Sequence, residues 1–334
     1  MWRNSANSPR VIVCGALNVD HLCEVADLAE FRAFPWWPQH GERALSQQQK
    51  RALDHCMNSS SNILSIRESG GGQAGNVACA LAGCGVEVTL ISKVGDDIPS
   101  SSALAGLEDI DLSHVAKIGT TSEAFVFVDQ AGNRDILLWC PEKQIPCKTI
   151  GPLPDAEFIH FTSLPTVEQV VLQAELIEQV PSTVRCSLDI GSLYAEMGHE
   201  RLAPLLRRLH VLFATESELE VFASSKVAAR ALLFQAGLEA ICEKSGPSGA
   251  TLVRREGVLH CEAPAVEATD STGAGDVLAA TFIASVINGA AYEEALKISV
   301  PLASASVRYW GRTGYPSMAD FRRAIGEALS HDAT

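Results

Sequence analysis

The residues with the clearest chemical potential occur together in the stretch Asp270-Ser-Thr-Gly-Ala-Gly-Asp276, which leads into an apolar segment. Residues 277–287 include only two polar side chains, and a helix that is apolar on nearly every face is a buried one. The first-turn amides of such a helix have no partner within it, and the helix dipole adds partial positive charge at that end. Small residues leave this backbone open to a ligand. The stretch therefore predicts an anion hole formed by Gly273, Ala274 and Gly275.

Asp276 gives this predicted anion hole a reactive group. It lies in the first turn, where the helix end is expected to keep its carboxylate ionised. A carboxylate beside a phosphoryl group can accept the proton of an incoming hydroxyl, as kinase chemistry requires. The alternative is that Asp270 and Asp276 are ordinary acidic residues at a helix start. Two Gly, two Asp and a Thr within seven residues exceed what a helix cap needs, which favours the catalytic interpretation.

Length and charge restrict the class of protein. The 334 residues correspond to about two domains, or to one large domain with an appendage. A hydrophobic content of 47% is sufficient for a sizeable core. The formal net charge of −14 argues against nucleic acid or an anionic membrane as the main partner. We therefore expect a small-molecule partner.

Cysteine usage and apolar runs indicate the compartment. The ten Cys include no Cys-x-x-Cys pair, which is typical of free thiols in a reducing cytosol. No signal peptide is visible, and the longest apolar helix, at 277–287, is too short to span a bilayer. The expected location is cytoplasmic.

The second half of the chain alternates short apolar strands with helices after a Pro-rich link at 141–154. Strands are predicted at 158–161, 185–190, 210–214 and 238–243, with helices at 166–180, 199–208 and around 216–235. Such repetition implies a parallel sheet covered by helices on both faces.

Residues 29–69 and the hairpin 123–139 lie outside this alternation. A long insertion in a compact domain is usually a lid or binding element, or else disordered. A phosphoryl-transfer site must exclude water, so we expect these segments to form a lid. Its aromatic residues either pack the lid or face the acceptor; they are Trp36, Trp37, Phe125 and Phe127.

Two polar patterns near the N-terminus have competing interpretations. Asn18 and Asp20 follow the strand at 10–15 and lie on one side of an extended chain, where they could bind paired hydroxyls or form a polar loop edge. Gly70-x-Gly72-x-x-Gly75, with Asp96 about 20 residues further on, matches the dinucleotide fingerprint of dehydrogenases. That fingerprint must follow a buried strand directly, and residues 62–68 make a poor one. A dehydrogenase would also leave residues 270–276 without a role.

The motifs together resemble the ribokinase-like (PfkB) carbohydrate kinases. Gly71-Gly-Gln-Ala-Gly-Asn76 with Lys93-Val-Gly-Asp-Asp97 is similar to the first signature of that family, and residues 270–276 are similar to the second. The resemblance covers residues 10 to about 318 in the family's motif order. The chain has no Gly-x-x-x-x-Gly-Lys-[Ser/Thr] loop, which fits an anion hole at a helix end.

The resemblance implies a fold and an activity. The fold is α/β, with a doubly wound, mostly parallel sheet and a small β-sheet lid. The main domain would comprise residues 10–20, 70–120 and 140–320, and the lid residues 21–69 with 121–139. The activity would be phosphoryl transfer from ATP-Mg²⁺ to a hydroxyl of a small sugar, and the protein could form a homodimer through the lid.

The resemblance also implies a role for individual residues. Asp276 would be the catalytic base, and Glu218 would act on Mg²⁺. Asp270 and the loop near Gly311 would form a monovalent-cation site, for K⁺. The substrate contacts would be Asn18, Asp20, Gly72 and Asn76, and the nucleotide side would be formed by Lys244, Gly246 and Gly249.

Some positions depart from the family pattern. Thr215 stands where Asn is usual, which puts metal or phosphate affinity in doubt, and Lys244 stands where Thr is common. Gln73 and Gly75 vary the first signature. The long stretch between Asp20 and Gly70 is similar to adenosine kinases, which keeps a nucleoside as an alternative substrate. A sugar-binding regulator with weak catalysis is the alternative from another class.

Overall fold

The computed structural model describes residues 9–38, 42–141, 145 and 153–331. Most of the predicted link at 141–154 lies outside these residues. The strands are β1 Arg10–Cys14, β2 Asn18–Val25, β3 Glu42–Ala44, β4 Ile63–Gly71, β5 Glu87–Val94, β6 Val115–Lys117, β7 Ser122–Asp129, β8 Arg134–Trp139, β9 Phe158–Thr162, β10 Arg185–Asp189, β11 Val211–Thr215, β12 Ala240–Lys244, β13 Ala250–Val253 and β14 Val258–Cys261. The helices are α1 Leu28–Arg32, α2 Gln47–Ser59, α3 Gln73–Gly83, α4 Pro99–Leu104, α5 Val167–Gln179, α6 Gly191–Leu206, α7 Glu216–Ala223, α8 Lys226–Ala236, α9 Ala274–Ile287, α10 Tyr292–Ser306 and α11 Met318–His331.

A nine-stranded sheet forms the centre of the molecule. Its strand order is β14-β13-β12-β11-β10-β9-β1-β5-β6, and the seven strands from β12 to β6 run parallel. From β1 the chain continues to β5 on one side and later to β9 on the other, so the strand order reverses at β1. Open α/β sheets bind ligands outside the carboxyl ends of their strands at such a reversal.

Helices cover both faces of this sheet. Side chains of a strand alternate between faces, so Val11 and Val13 of β1 pack with α3, α9, α10 and α11, whereas Ile12 and Cys14 pack with α5 to α8. Residues Asp276 to Ile287 of α9 are all buried. The predicted doubly wound α/β fold and the buried helix are therefore confirmed.

A second sheet of five strands lies beside the carboxyl ends of the first. Its order is β3-β8-β7-β2-β4. β2 follows β1 after three residues, and β4 leads through Gly72 directly into α3. The polypeptide therefore crosses twice between the two sheets at the same place, and the cleft between them begins there. We call this second sheet the small sheet.

The aromatic residues of the small sheet lie on the face away from the cleft. Asp20 and Leu22 of β2 face the cleft, whereas the intervening His21 pairs in register with Phe125 of β7 and stacks on it. Helices α1 and α2 cover that outer face, and the aromatic and aliphatic residues packed there are Cys23, Phe31, Trp37, Leu53, Phe125, Phe127 and Leu137. The interpretation in which Phe125, Phe127 or Trp37 faces an acceptor is wrong, because strand alternation turns Phe125 and Phe127 outward and Trp37, which follows α1, packs against the same face.

Trp37 instead forms part of the packed interior of the small sheet. It is 1% exposed, its ring lies 4.9 Å from that of Phe127, and its Nε1 donates to Asp135 Oδ2 over 2.9 Å. Arg32 donates to both oxygens of the same buried carboxylate. Trp36 is half-buried and stacks on Phe34. The packing interpretation of this pair holds for Trp37.

The covered outer face also restricts how two copies could associate. A homodimer through the small sheet remains a prediction, and β3 and β4 are the edge strands of that sheet. None of the helices in the described part of the chain combines the length and apolar character that crossing a bilayer needs.

Trp37→Phe should destabilise the protein without weakening ligand binding in the cleft. The substitution keeps an aromatic ring but removes the donor to a buried carboxylate, which typically costs about 1–3 kcal/mol. Urea unfolding measures the loss, and the KM of the expected acceptor should not change. Trp36→Phe, which removes no described hydrogen bond, is the matched control. An increased acceptor KM at unchanged stability would show that Trp37 reaches the substrate.

Candidate active site

The N-terminus of α9 forms the centre of the site. Gly273 is its N-cap residue with a φ of 79°, in the left-handed region, and a Cβ there would overlap the Tyr315 hydroxyl. Ala274 and Gly275 begin the helix. The Ala274 amide donates weakly to the Ser271 carbonyl over 3.4 Å, whereas those of Gly273 and Gly275 have no described partner, so the predicted anion hole lies at a half-buried helix end with first-turn amides available to a ligand.

Asp276 lies in the first turn of α9 and is 7% exposed. Asn76 Nδ2 donates to its Oδ2 over 2.9 Å. Burial and then Asp189 raise the pKa of Asp276 to about 7, while Asn76 and Lys244 act in the opposite direction. Loss of hydration therefore opposes the ionisation that the helix end was expected to favour. A pKa near the working pH suits a general base.

The predicted substrate contacts are adjacent to this carboxylate. Asn18 Nδ2 donates to Asp20 Oδ1 over 2.9 Å, and burial raises the pKa of Asp20 to about 6. Gly72 caps α3 with a φ of 84°, and a Cβ there would overlap the Ala16 carbonyl. Asp20 and Asn76 line one cavity between the two sheets, together with Leu22, Ser69, Gly70, Val126, Asp270, Thr272, Gly311 and Tyr315.

Lys244 lies over the anion hole from the end of β12. Its Nζ donates to both oxygens of Asp189, at 2.8 and 2.6 Å, and would lie 3.4 Å from a Cβ on Gly275. Burial lowers the pKa of Lys244, but Asp189 and Glu218 outweigh burial and raise it above its ordinary value. Lys244 is therefore a fixed cation beside the amides of the anion hole.

The two glycines predicted on the nucleotide side shape the turn after β12. Gly246 and Gly249 both have positive φ, and a Cβ on Gly249 would overlap the Cys261 carbonyl. Gly246 begins and Gly249 follows a short 3-10 turn, Gly246–Ser248, that joins β12 to β13. This turn begins two residues after Lys244.

Glu218 and Thr215 form a capping box at the start of α7. Thr215 Oγ1 accepts from the Glu218 amide, and Glu218 Oε2 accepts from the Thr215 amide over 2.7 Å. The hydroxyl of Thr215 thus satisfies the helix end. One oxygen of Glu218 is used in this cap, which leaves the other for a hydrated cation.

Asp270 connects the loop before α9 to the turn at Gly311. Its Oδ1 accepts from the Thr272 amide over 2.8 Å and its Oδ2 from the Gly311 amide over 3.0 Å. Both oxygens therefore already bind backbone donors. Among the described residues, no group of three or more His, Cys, Asp or Glu is arranged to hold a metal ion by itself.

Two charged side chains of the small sheet extend across the cleft to the same site. Arg134 Nη1 lies 3.4 Å from Ser271 Oγ and 3.5 Å from Thr272 Oγ1. Burial and then Glu218 raise the pKa of Glu42 to about 7, although the Leu193 backbone donates to its carboxylate. Sequence reasoning missed both residues, and it also missed Asp189, Arg312 and Tyr315. Two features of the sequence could have indicated a role in the site: Asp189 lies at a strand end, and Arg134 lies at a hairpin tip.

Comparison with known proteins identifies the family. Residues 47–317 match the pfkB family of carbohydrate kinases. The chain belongs to that family. It is 29% identical to the deoxyribokinase of Salmonella typhi over 277 residues, which cover 76% of this chain and 87% of the relative. The enzyme is therefore a phosphotransferase with a hydroxyl acceptor, as predicted.

Solved structures of the ribokinase type have the same fold. Ribokinase from Arabidopsis thaliana, complexed with ribose and ATP, has a TM-score of 0.73 at 18% identity and covers 96% of this chain and 99% of its own. The adenosine kinase of Sinorhizobium meliloti has a TM-score of 0.76 at 20% identity, with coverage of 96% and 100%. The dehydrogenase alternative is excluded by the family match, and Gly70 to Gly75 join an antiparallel edge strand to α3 rather than follow a parallel strand.

Asp276→Asn should lower kcat about 10²–10⁴-fold, the usual contribution of a general base. Because the pKa of Asp276 is raised to about 7, kcat/KM of the unmodified kinase should fall below that pH as the base becomes protonated. The variant should lose this acidic limb while still binding nucleotide. A pH–rate profile measures the loss of the acidic limb, and a nucleotide titration measures the retained binding. Turnover near the wild-type value would remove Asp276 from this role.

The same carboxylate should make stability depend on pH. The pKa of Asp276 in the folded protein lies above that of an unfolded aspartate, about 3.9. The contribution of this group to the free energy of unfolding is therefore most favourable below about pH 3.9, the unfolded value, and is lost as pH rises toward 7. Asp276→Asn should therefore be more stable than the wild type at pH 8 and similar to it near pH 4. Urea unfolding at both pH values is the measurement, and parallel curves would contradict the raised pKa.

Proposed function

We propose that this pfkB-family kinase transfers a phosphoryl group from ATP to a hydroxyl of a small sugar, with Asp276 as general base. The observation that carries the proposal is the position of Asp276 between two sets of groups. The cavity with Asp20 lies on one side, and the anion hole with Lys244 lies on the other. Asn76 lines the cavity and donates to Asp276, so an acceptor bound there would meet the base.

The acceptor would be held by hydrogen-bonding groups from both sheets. Asn18 and Asp20 come from the small sheet, and Asn76 comes from the first turn of α3, which begins after Gly72. Leu22 and Val126 supply the apolar part of the cavity. Paired carboxylate and amide groups suit a molecule that carries several hydroxyls, which supports a sugar.

The transferring phosphoryl group would be bound by the amides of Gly273, Ala274 and Gly275. Lys244 lies beside them as a fixed positive charge, and Arg134 extends to the loop that precedes them. Electrostatic stabilisation by such preorganised donors is the main catalytic contribution in phosphoryl transfer. The small sheet, which supplies Arg134 and Glu42, would act as the lid that excludes water.

The charge balance of the site favours the binding of a divalent cation. Four carboxylates lie close enough to Lys244 to interact with its charge, namely Asp189, Glu218, Asp276 and Glu42. A triphosphate adds more negative charge to this group. Mg²⁺ usually binds one or two carboxylates together with substrate phosphates, and the free oxygen of Glu218 fits that pattern. When bound, the ion would neutralise phosphate charge.

A monovalent cation such as K⁺ would bind near Asp270. Both carboxylate oxygens accept amide hydrogen bonds, so the cation would depend on backbone carbonyls around the turn at Gly311. Asp270 would then act by fixing this turn against the anion-hole loop.

A nucleoside is the second candidate acceptor. The long stretch between Asp20 and Gly70 suggested it, but its helices α1 and α2 cover the outer face of the small sheet, away from the cavity. The side chains that the small sheet turns to the cavity include no aromatic residue among those described, so this sheet offers no stacking surface for a base.

A screen of ribose, deoxyribose, other small sugars and nucleosides tests the proposal. Purified protein with Mg²⁺ and ATP should release ADP in proportion to one class of acceptor, with the phosphorylated product identified by mass spectrometry. Saturation by a sugar supports the proposal, and saturation by a nucleoside selects the second candidate. Binding of a sugar without turnover would identify a regulator instead.

A chelator should abolish turnover, and added Mg²⁺ should restore it. Glu218→Gln should increase the Mg²⁺ concentration needed for half-maximal rate, because the substitution removes the carboxylate charge. Glutamine at this position still completes a capping box, so α7 should remain intact. Full activity in the presence of chelator would contradict the role of the metal ion.

Removing the Lys244–Asp189 pair should weaken ATP binding. The double variant Lys244→Met with Asp189→Asn avoids an unpaired buried charge. Loss of a charge-assisted phosphate contact, about 1.5–3 kcal/mol, corresponds to an ATP KM increased roughly 10–100-fold. The matched control is Arg230→Met with Glu243→Gln, which removes the ion pair formed by the preceding residue of β12. Equal ATP KM values in both double variants would exclude Lys244 from the phosphate site.

A further inference from the structure

Arg312 connects three segments around the acceptor cavity. It belongs to the short turn Gly311–Gly314 that precedes α11. Its Nη2 donates to the Gly71 carbonyl and its Nη1 to the Ala105 carbonyl, each over 2.8 Å, and its Nε donates to Asn76 Oδ1 over 3.1 Å. One guanidinium therefore ties the end of β4, the end of α4 and the first turn of α3 together.

The contact with Asn76 determines how its amide is oriented. An arginine can only donate, so the atom of Asn76 that faces it must be the oxygen. The amide nitrogen then points the other way, and Nδ2 donates to Asp276 Oδ2 over 2.9 Å. With the opposite orientation, the amide oxygen would face a carboxylate that has no proton to donate when it acts as a base. Arg312 thus determines that the nitrogen of the Asn76 amide, and not its oxygen, faces Asp276.

Two glycines make room for this guanidinium, Gly75 of the first signature and Gly70 just before it. A Cβ on Gly75 would overlap Arg312 Nη2, and a Cβ on Gly70 would lie 2.7 Å from Nη1. Gly75 is one of the positions that depart from the family pattern. Its lack of a side chain is explained by the arginine that passes beside it.

We propose that Arg312 is a positioning residue for phosphoryl transfer, fixing the Asn76 amide so that it donates to one oxygen of Asp276 and leaves the other free. The inference rests on the proposed function. In the step concerned, the acceptor O–H bond breaks and its proton passes to Asp276 Oδ1. The acceptor oxygen forms a bond to the γ-phosphorus, and the bond from that phosphorus to ADP breaks, with its electron pair remaining on ADP.

The other groups that influence the pKa of Asp276, or that it influences, come from separate elements, and Arg312 has its own effect on two of them, Asp20 and Tyr315. Asp189 and Lys244 come from β10 and β12, Asp20 comes from β2, and Tyr315 lies against Gly273. Arg312 itself influences Asp20 by lowering its pKa. If Arg312 acts on Asp276 only through Asn76, its effect should disappear when Asn76 is removed. Effects that pass through the other groups should remain.

A double-mutant cycle between Arg312→Met and Asn76→Ala tests the proposal. Arg312→Met alone should lower kcat about 10–100-fold, as expected for a displaced catalytic group, with the ATP KM nearly unchanged. In the Asn76→Ala background, the same substitution should change kcat less than about threefold. Arg308→Met, an exposed arginine at the end of α10, is the matched control and should have no effect.

A second readout does not require activity. Asp276→Asn alters stability by an amount that depends on pH through the pKa of Asp276. When Arg312→Met is present in both proteins, the pH at which Asp276→Asn begins to alter stability should move upward. The reason is that the Asp276 carboxylate loses an oriented hydrogen-bond donor, which raises its pKa further. If no acceptor is ever phosphorylated, this shift still supports the positioning role while the proposed function fails.

Two results would overturn the proposal. The first is a full effect of Arg312→Met in the Asn76→Ala background, which would mean that the arginine acts through its ties to Gly71 and Ala105. The second is an unchanged titration of Asp276. If Arg312→Met does not fold, Arg312→Lys keeps the charge, loses the fork of donors and enters the same cycle with the same two criteria.

Discussion

The hydrogen bond from Asn76 to Asp276 is the contact on which the arrangement of the site depends. It joins residues 200 positions apart, one in the first turn of α3 and the other in the first turn of α9. A buried carboxylate is costly unless it has a partner, and this one has a single described donor. The two helices must therefore pack side by side with their N-termini adjacent. They can do so because both pack on the same face of the nine-stranded sheet, with α9 buried on all sides. The core thus fixes the distance between the acceptor cavity and the anion hole.

Buried carboxylates outnumber the buried cations in the described part of the site. Lys244 is paired with Asp189, which leaves the carboxylates of Asp276, Asp20 and Glu42 with pKa values raised by burial. Such groups lower stability at neutral pH, since their charged forms are poorly hydrated. Active sites commonly contain groups of this kind. Here the raised pKa of Asp276 gives the base a proton affinity suited to accepting a proton near neutral pH. The cost in stability and the benefit in reactivity have the same physical cause.

Local patterns in the sequence predicted the strand–helix alternation, the buried α9 and the position of Asp276, because each depends on neighbouring residues. The sequence left open whether the aromatic residues of the small sheet pack or face the acceptor, because the face a strand residue occupies depends on register with a distant strand, and a shift of one residue reverses it. Helix α6 was predicted only from residue 199, since Gly198, with a φ of 77°, interrupts the pattern. The position of Asp189 near the end of a predicted strand was a weak signal, and Arg312 had none, so the roles of these two residues could not be derived from sequence. Their roles depend on Lys244 and Asn76, partners that lie 55 and 236 residues away.

The two crossings between the sheets explain how the acceptor and the nucleotide sites can be coupled. Asp20 lies on β2, a few residues after the first crossing, and Asn76 lies on α3, just after the second. An acceptor that binds both therefore spans the junction between the small sheet and the central sheet. A tilt of the small sheet relative to the central sheet would change the distance between these two contacts, so a bound acceptor would favour one tilt. That tilt also determines how closely Arg134, on the same small sheet, approaches Ser271 and Thr272 beside the anion hole. Acceptor binding and completion of the phosphate site are thereby linked through the rigid pairing of β2, β7 and β8, without requiring a contact between the two substrates.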